Sequence, residues 1–199
     1  LLVCGLVAAG CVGAGASYAG WSGTTIANGA LYFGSMEGKL IALDTSTGNR
    51  LWEETIETSG STGGFGCAAP ATSTTIYGTP AVAGDLVYVG GYNGKLYAFS
   101  SSTRLSTDAY LDESNPKPIV GGPVVALGKV YLASSDGKLY VLDAISLDRV
   151  WSFDTGDKIW STPAMADDTL FIGSFDKKLY AIDATTGQAK WPQPFETGG

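Results

Sequence analysis

A block of 24 residues recurs four times in this chain without an internal gap, at 21–44, 77–100, 120–143 and 160–183. The block starts lie 56, 43 and 40 residues apart. A chain that repeats at this interval makes one supersecondary unit several times and buries its core between successive copies. A period near 40 fits propeller blades or arrays of helix pairs. Residue content decides between them: each block holds two turn sites, and β-branched or aromatic residues fill the stretches between. The 28 Gly, 5 Trp and 10 Tyr of the 199 residues agree with tight turns joining aromatic-rich strands.

Each block parses as three strands. In the second copy a short strand at 80–83 meets a turn at Gly84-Asp85, matched by Asn28-Gly29 in the first copy. A strand at 86–91 follows, then a second turn at Asn93-Gly94, then a strand at 96–99. Equivalent second turns are Glu37-Gly38, Asp136-Gly137 and Asp176-Lys177. Asn-Gly and Asp-Gly predict type I′ hairpins, with positive φ at both central residues. Lys177 in place of glycine predicts a strained turn or one of another type. A fourth strand is the segment leading through a tryptophan, such as 49–54. Runs such as Leu86-Val87-Tyr88-Val89 are apolar on both faces, as expected of a sheet packed between two others. Lys39, Lys95, Lys138 and Lys178, just past the second turns, read as solubilising, edge-protecting residues.

Three copies end in a common tail. Ala42, Gly48 and Trp52 in the first copy match Ala181, Gly187 and Trp191 in the fourth, at tail positions one, seven and eleven. This tail resembles the tryptophan-docking motif of the pyrroloquinoline-quinone-type (quinoprotein-like) propellers. The resemblance covers residues 21–199 and implies that each Trp packs flat on the glycine-bearing peptide of a neighbouring blade, its N–H meeting a backbone carbonyl. The third copy keeps Trp151 but has Leu147 where glycine belongs. The second has Arg104 and Asp108 in the two places, with Tyr110 a candidate substitute. The expectation is an all-β propeller of four-stranded antiparallel blades, about four of them. Phe195-Glu196-Thr197-Gly198 parallels Phe153-Asp154-Thr155-Gly156 ahead of the last block, so the expected arc is part of a larger ring, half of an eight-bladed one.

Residues 1–20 form a separate segment, expected to be a truncated lipoprotein signal and tether ahead of blades at 21–199. No charged residue precedes Glu37, and residues 1–16 are almost wholly small or apolar. Sixteen residues are too few to span a bilayer as a helix at ~1.5 Å each. The segment resembles the apolar region of an export signal. Leu6-Val7-Ala8-Ala9-Gly10-Cys11 is similar to a bacterial lipobox, which implies lipidation at Cys11 and loss of Cys4. Ordinary cleavage after Ala14-Gly15-Ala16, and a merely apolar terminus, are the alternatives. Cys67 would then stand alone, without a disulfide partner in the exported part.

Composition excludes several chemistries. The sequence has no histidine, which removes His-based nucleophile systems and His-bearing zinc sites. With 12 basic and 19 acidic residues the net charge is −7, unsuited to nucleic acid or an anionic surface as main partner. The resemblance brings in dehydrogenases that hold the quinone beneath adjacent disulfide-linked cysteines beside Ca²⁺ carboxylates and a catalytic Asp. No two cysteines are adjacent here, and Asp44, Asp143 and Asp183 recur at one blade position, which marks structure more than chemistry. Neither quinone nor Ca²⁺ is therefore expected, and no catalytic or metal residue is assigned. Two segments depart from the repeat: 57–76, which holds Cys67, and 105–118, whose Asp108, Asp112 and Glu113 form an acidic cluster. A lipid-anchored propeller of this kind is similar to the scaffold lipoproteins of outer-membrane β-barrel assembly. The expected function is a non-catalytic, exported, membrane-anchored scaffold that binds protein partners through its propeller loops. The rival readings are a quinone-dependent dehydrogenase with its active site outside this chain and an extracytoplasmic sensor domain.

Overall fold

A computed structural model describes residues 21–56 and 74–198. The lipidation reading at Cys11, the fate of Cys4 and the role of Cys67 lie outside the described residues. Sixteen strands form four antiparallel sheets of four, and no helix occurs among the described residues. The first sheet comprises β1 (Trp21–Ala27), β2 (Ala30–Ser35), β3 (Lys39–Asp44) and β4 (Arg50–Thr55). The second is β5 (Ala81–Ala83), β6 (Leu86–Gly90), β7 (Lys95–Ser100) and β8 (Ser106–Tyr110). The third is β9 (Val124–Ala126), β10 (Lys129–Ala133), β11 (Lys138–Asp143) and β12 (Arg149–Asp154). The fourth is β13 (Ala164–Ala166), β14 (Thr169–Ser174), β15 (Lys178–Asp183) and β16 (Phe195–Glu196). Within every sheet the strands pair in sequence order, so each is a meander and its alternate hairpins lie at opposite ends. This is a partial β-propeller of four blades.

Alternation along the middle strands builds the seams. In β10, Val130 and Leu132 enter the core shared with the second sheet, while Tyr131 and Ala133 enter the core shared with the fourth. β11 divides likewise, Tyr140 and Leu142 to one side, Leu139 and Val141 to the other. Full burial of a Leu or Val side chain stabilises by about 1.5–3 kcal/mol, so these two-faced strands carry most of the cohesion between blades. The inner strands lie side by side, β1 against β5 and β5 against β9. Leading into them the backbones nearly touch: a Cβ on Gly78 would sit 2.5 Å from the Gly121 carbonyl oxygen, so only glycine fits there.

The turns correct part of the sequence reading. Asn28 (φ 52°) and Gly29 (φ 76°) form a two-residue hairpin with positive φ at both positions, as expected. The second hairpins differ, since positive φ falls on their last residue alone: Gly38, Gly94, Gly137 and Lys177. Each closes through a bond from that residue's N–H to the carbonyl three residues back, Ser35, Gly91, Ser134 and Ser174 respectively. These are three-residue loops, a tight turn followed by a left-handed residue, not type I′ pairs. The side chain ahead explains the preference for Asn or Asp, because Asn93, Asp136 and Asp176 each accept from the N–H two residues on. Lys177 keeps the loop at φ 68°. A left-handed conformation costs a residue with a Cβ about 1–2 kcal/mol, partly offset in a glycine by its greater unfolded-state freedom. Lys177→Gly is therefore expected to raise stability by about 0.5–1 kcal/mol. A urea midpoint that stays put or falls would contradict it.

Candidate functional site

The loop between third and fourth strands has one geometry in all four blades, whatever its sequence. Gly48, Arg104, Leu147 and Gly187 adopt φ of 71°, 67°, 61° and 74°. Each donates its N–H to the carbonyl four residues back, on Asp44, Ser100, Asp143 and Asp183. The left-handed residue is thus set by the loop, and its side chain is free to vary with what the neighbouring blade presents.

Each seam uses that freedom differently. Between the third and fourth blades, a Cβ on Gly187 would lie 2.8 Å from Cδ2 and Cε3 of Trp151, so the indole rests directly on the glycine. Its edge meets Tyr131 with centroids 6.3 Å apart. The Trp151 N–H is buried without a hydrogen-bond partner among the described residues, contrary to the carbonyl contact that the resemblance implied. Between the first and second blades, Arg104 lies over the Trp52 ring at 4.9 Å, replacing glycine contact by a cation–π contact. Arg104 also donates to the Ser101 carbonyl. In the other two seams the matching carbonyls, Ala144 and Ala184, accept from Tyr88 at 2.7 Å and Tyr131 at 3.2 Å across the seam.

Between the second and third blades the register corrects the sequence reading. Trp52 opposes Ala42 and Trp151 opposes Val141, each beside a bulge. β8 has no bulge, so Thr107 opposes Ala98 in the tryptophan place, and Asp108 is shifted one position. Leu147 fills this seam, 3% exposed and packed in one core with Tyr88, Ala98 and Leu142. Tyr110 is not the substitute; it is an exposed side chain beneath Lys95. Of the remaining positions, Ala42 is buried opposite Trp52 of the fourth strand, and Ala181 is buried opposite Phe171 of β14. Trp191 lies beside Phe171 at 5.8 Å. Around it, two extra residues bracketed by Pro192 and Pro194 shorten β16 to Phe195–Glu196, paired at Leu179 and Lys178.

The carboxylates serve turns. Asp44, Asp143 and Asp183 each accept from the two N–H groups at the start of their own loop. In the second blade Ser100 stands in that place, and Asp85 reaches across to Ser100, Ser101 and Ser102. The Ser46 hydroxyl, with the Thr47 N–H, holds Asp44 down at about 2. The Ser100 and Ser101 hydroxyls hold Asp85 at about 2. Both lie below the ordinary 3.8, so their stabilisation is complete above that value and is lost as pH falls towards 2. An Asp44→Asn, Asp85→Asn chain is expected to show a flatter decline of thermal midpoint between about pH 4 and 2. An unchanged slope would contradict it. Asp112 accepts from Ser114 and Asn115 within its own loop, and Asp108 pairs with Lys95 at 2.9 Å. Lys39 and Lys138 likewise pair across to the fourth strand, with Glu53 at 2.7 Å and Asp154 at 3.3 Å. Among the described residues no three His, Cys, Asp or Glu side chains are grouped so as to hold a metal ion.

The end of the blades that carries the second hairpins and the segments between blades has a different character. Trp160 and Phe175 stand edge to face, centroids 4.7 Å apart, and are 47% and 52% exposed. The Trp160 N–H donates to Ser135 of the preceding blade at 3.0 Å, which fixes the ring. Tyr77 and Tyr92 make the equivalent exposed pair on the second blade, at 5.5 Å. Rigid aromatics with one polar tip are the residues that anchor protein interfaces. Sequence reasoning missed these pairs, although a signal existed: first and sixteenth block positions are aromatic together in the second and fourth copies.

The fold and its docking loops define a propeller of the pyrroloquinoline-quinone repeat type. The chain belongs to the family described as outer membrane protein assembly factor BamB, whose profile matches residues 14–110 and 78–198. BamB from Moraxella catarrhalis superposes with a TM-score of 0.68 at 22% identity, over 85% of this chain and 48% of that one. Quinohemoprotein alcohol dehydrogenase from Comamonas testosteroni superposes at 0.73 and 20% identity, over 88% of this chain and 34% of the enzyme. At these identities the likeness is one of fold. The chain thus spans about half the length of the first and a third of the second. No curated protein matches the sequence significantly.

Proposed function

We propose that this chain acts as a non-catalytic protein-binding scaffold of the cell envelope, in the manner of an outer-membrane assembly factor, and that Cys11 carries its lipid anchor. The observation that supports the scaffold reading most is the pair of exposed aromatic clusters on one end of the blades, Trp160–Phe175 and Tyr77–Tyr92, held by rigid sheets. Asp44, Asp143 and Asp183 cap their own loops, and Asp85 caps the loop at Ser100–Ser102, so these four carboxylates have structural work in the blades. Such an interface concentrates binding in a few large aromatic anchors. Crosslinking in intact envelopes, followed by identification of the captured protein, gives the test. A Trp160→Ala, Phe175→Ala chain with unchanged circular dichroism is expected to lose about tenfold in capture of that partner. Full capture by this variant would defeat the interface.

The likeness to an alcohol dehydrogenase supports the rival reading. Dye-linked alcohol oxidation by the purified protein with added quinone and Ca²⁺ would establish it, and no turnover is expected. Anchoring is tested separately by labelling with a fatty-acid analogue. A Cys11→Ser chain that still labels would overturn it.

A further inference from the structure

The fourth strand of the fourth blade leaves its sheet halfway and returns. In the third blade β12 stays paired throughout, with Arg149 opposite Leu142, Trp151 opposite Val141 and Phe153 opposite Leu139. In the fourth, Ala189 bridges Ile182 in the same way, but the chain meets β15 again only at Phe195, opposite Leu179. Trp191 and Phe195 hold the places of Trp151 and Phe153, four residues apart where those are two. The excursion leaves a cavity of about 190 Å³. Phe153 and Tyr180, edge to face with centroids 5.6 Å apart, line it from the seam between the third and fourth blades. Trp191, Pro192 and Pro194 line it from the excursion. Its lining carries no formal charge, and Tyr180 spends its hydroxyl proton on Asp176. Ala181, 2% exposed, adds a backbone group: its carbonyl accepts from the Lys190 N–H at 2.8 Å. A residue of an antiparallel ladder turns its N–H and its carbonyl towards the same neighbouring strand. The Ala181 N–H therefore points to the side from which the chain has looped away, and it meets no backbone carbonyl among the described residues. A buried N–H left in this state is costly, so an acceptor entering the cavity is favoured.

We propose that this cavity binds a small neutral aromatic molecule, a single ring with a short substituent whose oxygen accepts from the Ala181 N–H. An apolar protein cavity of about 150 Å³ takes up benzene. The space here holds a ring and little more. Walls of Phe153, Tyr180 and Trp191 favour a planar ring, which meets them edge to face or offset. A carboxylate or ammonium would give up its hydration with no countercharge in the lining, which excludes charged ligands. The site is separate from the exposed aromatic pairs and does not depend on a protein partner binding there.

Acetophenone, ethylbenzene and benzoate, titrated into the isotope-labelled full chain and followed by amide NMR, test the proposal. Acetophenone is expected to bind saturably and to move the Ala181 amide proton downfield, the mark of a hydrogen bond gained. Ethylbenzene keeps the ring but has no acceptor, so it is expected to lack that downfield shift, and benzoate is expected not to bind. Deleting Pro192 and Gln193 restores the spacing of the third blade and is expected to abolish acetophenone binding while the chain stays folded. Ala189→Phe, at an exposed lining position, is expected to do the same by filling the cavity without changing the chain's length. No saturable shift at Ala181 with acetophenone, an equal downfield shift with ethylbenzene, binding of benzoate as tight as that of acetophenone, or undiminished binding in both variants would each overturn the proposal.

Discussion

Trp52→Ala lowers the unfolding free energy by about 3–5 kcal/mol, the largest loss expected of a single substitution at these seams. The indole is 9% exposed and shares its core with Tyr32, Val87, Val89 and Phe99, so truncation empties space that two rigid sheets cannot collapse to fill. Arg104 loses its aromatic platform at the same time. A cation–π contact shielded from water contributes about 0.5–2 kcal/mol. The two effects separate in a double-mutant cycle. Arg104→Gly is expected to relax the left-handed backbone while forfeiting the ring contact, giving a small net change alone. With Trp52→Ala already present, the same change should stabilise, because only the relief of strain remains. Chemical denaturation of the four chains measures the coupling; additive effects would show that Arg104 merely lies near the ring. A loss under about 1 kcal/mol for Trp52→Ala would mean that the seam does not hold the first blade to the second.

The blades were legible because their signal is repeated and local. Turn residues at fixed offsets and two-faced apolar strands specify a meander, and four copies average out irregularities such as Lys177. Trp151 and Gly187 each stand out in the sequence as a single residue type, and the folded arc brings them into contact, though without the N–H bond expected of Trp151. Docking was obscured where two positions changed together. Taking the eleventh tail position, with Ala98 as the first, gave Asp108, since a bulge present in two blades and missing from a third does not show in the spacing. Arg104 looked like the loss of a glycine, when its backbone keeps the left-handed turn and its side chain takes over the contact. The exposed aromatic pairs escaped for another reason: one member comes from a hairpin and the other from a segment between blades, and only the folded arc brings position one beside position sixteen.

Leu147→Gly tests that account most directly, because it moves the sequence towards its own repeat and is still expected to destabilise. Substituting towards a consensus usually helps or is neutral. Here glycine would relieve about 1–2 kcal/mol of left-handed strain at φ 61°. Against that stands the removal of a leucine that is 3% exposed in the core between the second and third blades, where deletion costs about 2–5 kcal/mol. The net is a loss of about 1–3 kcal/mol. The sign depends on what faces the loop. Thr107 holds the place opposite Ala98 that Trp151 holds opposite Val141, and is too small to fill the seam, whereas Gly187 meets Trp151, which already occupies the space a side chain would need. Gly187→Leu is accordingly expected to destabilise as well, by collision where the other variant leaves a void. Thr107→Trp should then convert Leu147→Gly from harmful to tolerated, because the pair rebuilds the docking of the other seams. A Leu147→Gly chain more stable than the parent in equilibrium denaturation would show that strain, and not packing, governs this position.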